Sequence, residues 1–261
     1  MTTLLITGGT GVLGRELVPR VAAAGHKVRI MSRRAGKDNA AGDTAWAVAD
    51  LLTGEGVEAA VAGVDVILHA ASSPFKNTRE VDVGGTQRLL DAAKAAGVSN
   101  FYYISIVGVD KVRYPYYKYK LEAEKAIAAS GVPHTILRAT QFHPLLDTFL
   151  KTLFKRGPFL LLPMGVKFQL IDAGEVADHM VQTMKSSASG RLPDIGGPEV
   201  LKLSDIAKVW LKATGRRLIR VPMIAPPGGI SDMAKGYLTA PENPAGSITW
   251  AQWLEKTHPS S

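Results

Sequence analysis

The 261-residue chain contains no cysteine. That absence excludes a disulfide framework, a thiolate nucleophile and a cysteine-ligated metal, and it fits a reducing, cytoplasmic setting. Long hydrophobic runs are missing as well. The run Phe159–Leu162, for example, lies between Pro158 and Pro163 and is far short of the roughly 20 apolar residues a membrane-spanning helix needs. No basic residue precedes the first apolar run, which Gly8 and Gly9 interrupt, so no signal peptide is expected. There is also no basic tract. The 31 Lys and Arg residues outnumber 23 Asp and Glu, giving a net charge of +8, but they are scattered. A specific nucleic-acid partner is therefore not expected, whereas a field that attracts an anionic cofactor or substrate is. Repeats, low-complexity tracts and long linkers are absent. The length suits one large domain, or a dinucleotide domain with a smaller appendage.

What is present is concentrated at the front. Leu4-Leu5-Ile6 reads as a strand, Gly8, Gly11 and Gly14 follow at intervals of three, and Leu13, Leu17, Val18 and Val21 recur at helical spacing. A strand, a glycine turn and a helix opening toward the turn make a pyrophosphate pocket. Glycines let the backbone approach the phosphates, and the helix N-terminus offers free N–H groups and a favourable dipole. Gly8, Thr10, Gly11, Val12, Leu13 and Gly14 are thus expected to bind cofactor. A nucleoside-triphosphatase loop would end in Gly-Lys-Ser/Thr, and Val12-Leu13-Gly14 carries neither lysine nor hydroxyl.

The second strand, Lys27–Met31, ends at Ser32-Arg33-Arg34, and no acid follows until Asp38. An acidic residue at this point would accept from the ribose 2′-OH of NAD. A small hydroxyl and two arginines suit a 2′-phosphate instead, so NADP(H) is expected over NAD(H). Ala45–Val48 reads as the third strand and Gly56–Ala62 as a short helix. Val64–His69 reads as the fourth strand, in which His69 is expected to be packed. Ala70, Ala71 and Ser72 are small enough for a cofactor to cross there. A long helix is expected to open at Val81-Asp82-Val83-Gly84-Gly85-Thr86, and Phe101–Ile106 is the fifth strand. Pro115 is suited to start the next helix. On it, Tyr116 and Lys120 stand four residues apart and share a face, as do Tyr114 and Lys118, so spacing alone leaves both pairs open. An ammonium beside a phenol lowers its pKa and fits it for proton transfer. Further on, Pro133–Arg138 reads as a strand, Leu145–Lys155 as a helix and Ser204–Thr214 as a helix with Ser204 as N-cap. Trp250 and Trp253 read as packing anchors.

The wide Gly-x-x-Gly-x-x-Gly loop resembles that of the extended and atypical short-chain dehydrogenase/reductases, and the resemblance covers nearly the whole chain. It selects the pattern Pro-x-Tyr-x-x-x-Lys-x-x-x-Glu, hence Tyr116 as proton donor, Lys120 as ligand of the nicotinamide ribose, and Glu124. It implies that Ser105 polarises a carbonyl, although in many extended members that serine aligns nearer Ile106. It implies that Asp50 and the following Leu51 touch the adenine, an N-cap role being the other reading of Asp50. Thr140 and Gln141 would close over the nicotinamide. Asp82 stands where those families carry Asn, and Glu175 where they carry Asp. The chain is similar to the NmrA-like and complex I NDUFA9-like branch of NAD(P)-binding proteins. The expectation is a Rossmann-type doubly wound parallel sheet over 1–142, with a smaller substrate-binding region over 143–261. Its expected activity is an NADPH-dependent oxidoreduction of a small carbonyl or quinone-type compound, by a monomer or homodimer without metal. A non-catalytic NADP(H)-responsive regulator and an epimerase or dehydratase are the alternatives.

Overall fold

Short apolar runs alternate with helical periodicity through the first half of the chain, and each becomes one element of a wound sheet. The computed structural model describes residues 2–34, 36, 44–154, 159–184, 187–217 and 219–259. In chain order the elements are β1 (Thr3–Thr7), α1 (Val12–Ala23), β2 (Lys27–Ser32), β3 (Thr44–Val48), α2 (Val57–Val61) and β4 (Val66–His69). A π-helical segment (Arg79–Gly85) runs directly into α3 (Thr86–Ala95), followed by β5 (Asn100–Ile106), α4 (Pro115–Ala129) and β6 (His134–Ala139). Then come α5 (His143–Phe154), β7 (Phe159–Pro163), β8 (Lys167–Phe168), α6 (Ala173–Thr183), β9 (Gly190–Arg191) and β10 (Leu201–Lys202). Last are α7 (Leu203–Ala213), β11 (Ile219–Met223), α8 (Gly229–Ala234) and α9 (Trp250–Thr257). Among the described residues, no helix is long and apolar enough to cross a membrane.

The chain forms two compact units. One comprises Met1–Ser105, Pro115–Arg138 and Val176–Pro193, the other Ile106–Tyr114, Ala139–Glu175 and Asp194–Ser261. The expected cut after residue 142 falls inside the second of these. The first unit holds a seven-stranded parallel sheet in the order β3-β2-β1-β4-β5-β6-β9. The winding reverses between β1 and β4, whose register pairs Thr7 with His69. Such a reversal leaves a crevice at the carboxyl ends of the strands, where doubly wound sheets bind their ligands. Leu5, Ile67, Phe101 and Tyr103 from the sheet pack with Val57, Val61, Leu89, Leu90 and Ile127 from the helices in one buried cluster. Leu13, Leu17 and Val21 are the buried stripe of α1, as their spacing requires.

In the second unit, β7 pairs with β11 in parallel and β8 with β10 antiparallel. Its core gathers Leu146, Leu150, Ile206, Trp210, Trp250 and Leu254. Trp250 is buried and Trp253 packs against the cluster, each ring stacked on His143. Two local expectations are corrected. The helical path expected from Val81 starts at Arg79 as a π-helical segment, and regular α-helix begins only at Thr86. Ser204 is not an N-cap: α7 begins at Leu203 after Lys202, without a side-chain cap. Leu203 is buried and its N–H donates to the Val166 carbonyl at 2.9 Å, which sets the helix start one residue earlier. The expected end of helix α5 at Lys155 lies outside the described residues.

A buried ion pair ties α4 to β6. Arg138 Nε and Nη2 donate to the two carboxylate oxygens of Glu124 at 2.9 and 2.7 Å, and both side chains are less than a tenth exposed. Removing one partner of such a pair strands the other charge in the interior, at a cost of about 3–5 kcal/mol. Arg138→Met should therefore lower the stability measured by urea unfolding by about that amount. The double variant Glu124→Leu with Arg138→Met should recover most of it. Equal losses in the single and double variants would show that packing, not charge, holds this joint.

Candidate functional site

The glycines of the first loop do different physical work. Gly8 has φ +70°, and a Cβ there would lie 2.7–2.8 Å from the backbone of Ala70 and Ala71 at the end of β4. A Cβ on Gly14 would lie 2.2 Å from the Gly8 carbonyl, so the start of α1 sits directly on the loop. Gly11 is the open position. Its Cβ would meet only the Gly8 oxygen, at 3.1 Å, and its N–H donates to that oxygen at 2.9 Å. Gly11 is also the N-cap of α1, with no side-chain cap and no acidic residue in the first turn. The helix therefore presents its N-terminal amides and dipole to this space without a competing carboxylate. Val12 is exposed and Leu13 buried; Thr10 is exposed, its carbonyl accepting from Arg15 Nε at 2.9 Å.

At the end of β2, Ser32 is half-buried and its Oγ accepts from the Arg34 N–H at 3.3 Å; Arg33 and Arg34 are exposed. Asp38 lies outside the described residues. Asp50 Oδ1 accepts from the Leu52 N–H at 2.8 Å in a local turn, while Leu51 is buried. The N-cap reading of Asp50 is corrected by α2, which begins at Val57 after Gly56.

At the ends of β4 and β5 the polar groups are almost all committed. Thr86 Oγ1 donates to the Asp82 carbonyl at 2.6 Å, so it can only accept from His69 Nε2, 3.0 Å away. His69 Nδ1 is then the acceptor of the Thr7 hydroxyl at 2.7 Å, and Thr7 Oγ1 takes the Ala71 N–H at 3.2 Å. This chain of single protons fixes the neutral tautomer with hydrogen on Nε2. Burial, assisted by the Lys120 charge, pushes the His69 pKa down to about 3. His69 is a packed, neutral residue that locks β1, β4 and α3 together.

The two tyrosine–lysine pairs are placed differently around α4. Tyr114 precedes the helix, belongs to the second unit and is 45% exposed; Lys118 points outward toward Glu122, 3.9 Å away. Tyr116 and Lys120 point inward. Lys120 Nζ is buried, donates to the Ile104 carbonyl at 2.9 Å and lies 4.1 Å from the centre of the Tyr103 ring. Burial draws its pKa down to about 8 against the opposing pull of Asp82 and Glu124. Tyr116 Oη lies 2.9 Å from Ser72 Oγ, which donates to Asp82 Oδ1 at 2.5 Å; the Ser73 N–H donates to Asp82 Oδ2 at 2.9 Å. The expected lowering of the Tyr116 pKa is corrected. Burial raises it, with Asp82 and Tyr117 adding to the shift and the Ser72 hydrogen bond only partly offsetting it.

Ser105 follows the carbonyl that Lys120 holds, and its buried Oγ has no hydrogen-bond partner among the described residues. Thr140 and Gln141 belong to the second unit, where the Thr140 N–H donates to Ile195 and the Gln141 carbonyl accepts from Ile171. In the first unit, then, Ser72 and Tyr116 meet, and Asp82 joins them as a partner that pattern reading leaves without a role. Its only sequence signal is its place in Val81-Asp82-Val83, where the resembled families carry Asn. The residues fit a dinucleotide. The glycine loop leaves open space under an uncapped helix N-terminus, Arg33 and Arg34 stand exposed at the end of β2, and Ser105 keeps an unspent hydroxyl.

Comparison with known proteins agrees. Residues 8–152 match the family model described as NAD(P)H-binding. The chain is 24% identical over 233 residues to the photosystem II assembly factor Ycf39 of Trieres chinensis, covering 85% of this chain and 72% of that protein. It is 27% identical over 218 residues to the (4-alkanoyl-5-oxo-2,5-dihydrofuran-3-yl)methyl phosphate reductase of Streptomyces griseus, covering 82% and 75% respectively. Its fold matches that of the NADPH-dependent quinone oxidoreductase QOR2 of Escherichia coli, solved with NADPH, with a TM-score of 0.79, 20% identity, and coverage of 97% of this chain and 99% of that one. With more than half of its residues matched by the family model, and with a glycine loop and wound sheet of the corresponding form, this chain belongs to the NAD(P)H-binding family, among the atypical short-chain dehydrogenase/reductases.

Proposed function

We propose that the protein is an NADPH-dependent oxidoreductase of the NmrA-like branch that reduces a small carbonyl or quinone-type compound. The observation that carries this reading is the inward-facing pair on α4. Tyr116 is a partly buried phenol held in its protonated form, and Lys120, four residues on along the same helical face, is a buried cation. A phenol that stays protonated at neutral pH is suited to give a proton, as reduction of a carbonyl requires. When bound, the nicotinamide supplies a hydride. Gly8, Thr10, Gly11, Val12, Leu13 and Gly14 would hold the pyrophosphate. Ser32, Arg33 and Arg34 would take the 2′-phosphate, and Asp50 with Leu51 the adenine. Ala70, Ala71 and Ser72, being small, would let the cofactor cross the strand ends. Lys120 would bind the ribose and Ser105 steady the carbonyl oxygen while Tyr116 protonates it. The likeness to the streptomycete reductase supports this reading. A second reading, a non-catalytic NADP(H)-responsive regulator, draws on the likeness to the photosystem II assembly factor.

Cofactor binding checks the loops. NADPH should bind more tightly than NADH in a fluorescence titration, and Arg33→Ala should cost about 1.5–3 kcal/mol for NADPH with little change for NADH. Equal affinities in the unmutated protein would sink the 2′-phosphate assignment. Gly11→Val should abolish binding of both nucleotides while the near-ultraviolet dichroism stays native, because only the Gly8 oxygen stands near its Cβ. Gly14→Val should instead unfold the loop.

Turnover separates enzyme from regulator. On a panel of quinones, aldehydes and ketones followed at the nicotinamide absorbance, Tyr116→Phe should lower the rate by about 10²–10⁴-fold with NADPH affinity nearly intact. Lys120→Ala should damage both, and Tyr114→Phe should do little. Unchanged turnover in Tyr116→Phe would remove the phenol from the reaction. Tight NADPH binding with no compound reduced would favour the regulator.

A further inference from the structure

A hydroxyl has one proton to give, and Ser72 has two neighbours competing for it. Its Oγ lies 2.5 Å from Asp82 Oδ1 and 2.9 Å from Tyr116 Oη. An ionised carboxylate only accepts hydrogen bonds. With Asp82 ionised, Ser72 must spend its proton on Oδ1 and can then only accept from Tyr116, so the phenol proton is directed into the protein. With a proton on Asp82 Oδ1, Ser72 accepts from Asp82 and its own proton becomes available to Tyr116, which lets the phenol proton point outward. The Ser73 N–H, 2.9 Å from Oδ2, keeps that oxygen an acceptor in both states and so confines the carboxyl proton to Oδ1. No heavy atom has to move.

We propose that Asp82, acting through Ser72, sets the direction in which the Tyr116 hydroxyl donates, and thereby selects between giving a proton to a carbonyl oxygen and taking one from an alcohol. Asp82 and Ser72 are positioning residues here, and the catalytic consequence rests on the reductase reading above. In reduction, the alkoxide left by hydride addition takes the Tyr116 proton. Tyr116 takes that of Ser72, and Ser72 takes that of Asp82. Each oxygen loses and gains one bond to hydrogen, and Asp82 ends as the carboxylate. In alcohol oxidation the same protons move the other way and end on Asp82. Asp82 is 2% exposed, so its proton reaches this chain rather than bulk water directly. The groups that face it are Tyr116 and the Lys120 cation on α4, Tyr103 on β5, and Ser72 and Ser73 after β4, while Thr86 on α3 takes the Asp82 backbone carbonyl. Of these, Lys120 alone carries a charge, and Glu124 opposite it is held by Arg138.

Asp82→Asn tests the direction because an amide has fixed roles. Its oxygen can accept from the Ser73 N–H while its NH₂ donates to Ser72, which locks the chain in the outward sense. The direct readout needs no substrate. With tyrosine labelled at ¹³Cζ, and the Tyr116 signal assigned by its loss in Tyr116→Phe, the signal should shift between the wild type and Asp82→Asn, and should not shift between Ser72→Ala and the double variant Ser72→Ala with Asp82→Asn. A signal that Asp82→Asn leaves in place, or moves equally without the Ser72 hydroxyl, overturns the proposal, and Asp82→Ala takes the place of Asp82→Asn if that variant does not fold. In kinetics, Asp82→Asn should slow alcohol oxidation by about 10²-fold, the lower end of general-base effects, while carbonyl reduction persists. A responsive signal without turnover of any carbonyl leaves the proton chain standing and removes the reductase reading. Turnover with an unresponsive signal does the reverse.

Discussion

Backbone touching backbone at the carboxyl ends of β1 and β4 is the constraint on which the first unit depends. At Gly8 and Gly14 there is no volume for a single carbon beyond Cα, since the nearest backbone atoms would stand 2.2–2.8 Å from it. That closeness draws the start of α1 onto the loop and the loop onto β4, just where the winding of the sheet reverses. A helix N-terminus held this way, uncapped and free of acid, is a place where negative charge is stabilised. Gly11, between the two tight glycines, is left with open space. The same three-residue spacing therefore has two consequences: the outer glycines make the architecture, and the middle one is left without close neighbours beyond the Gly8 oxygen.

Around that edge the polar groups form two chains of hydrogen bonds. Thr7, His69 and Thr86 form one chain, and Tyr116, Ser72 and Asp82 form another, the two meeting at Asp82, whose backbone carbonyl takes the Thr86 hydroxyl. In the first chain every role is fixed by an invariant donor, the Ala71 N–H at one end and the Thr86 hydroxyl committed to a carbonyl at the other. The histidine inside it is consequently inert. The second chain ends on a carboxyl group, whose role depends on whether it carries a proton. The first chain is buried throughout and clamps β1, β4 and α3, whereas Ser72 in the second is exposed.

Lys120 is held among groups of opposite tendency. Its ammonium sits against the Ile104 carbonyl and the face of Tyr103, with Asp82 and the Glu124–Arg138 pair in its field. Burial alone would favour its neutral form, and the nearby carboxylates oppose that. The Glu124–Arg138 pair thus has a consequence beyond holding α4 to β6, because it keeps a compensated negative charge within reach of the lysine.

Local chemistry made much of this legible in the chain itself. The strand, glycine turn and helix at the front, the arginines after β2 and the small residues after β4 are contiguous patterns, and contiguous patterns survive folding because neighbouring residues share one backbone. Tyr116 and Lys120 share a helical face for the same reason, yet so do Tyr114 and Lys118. Only tertiary structure separated the pairs, by placing Tyr114 before α4 and turning Lys118 to the surface. The start of α7 at Leu203 rather than Ser204 was decided by a hydrogen bond to Val166, 37 residues away, which no capping rule contains. The sense of the Tyr116 pKa shift was likewise decided by burial and by Asp82, whereas the helix spacing had pointed to Lys120. The link from Tyr116 to Ser72 spans 44 residues and lies between a helix and a loop that only sheet winding brings together. Sequence determines what lies within a few residues along the chain. Which distant polar groups share a proton is set by packing, because hydrogen bonds depend on positions in space that spacing along the chain does not record.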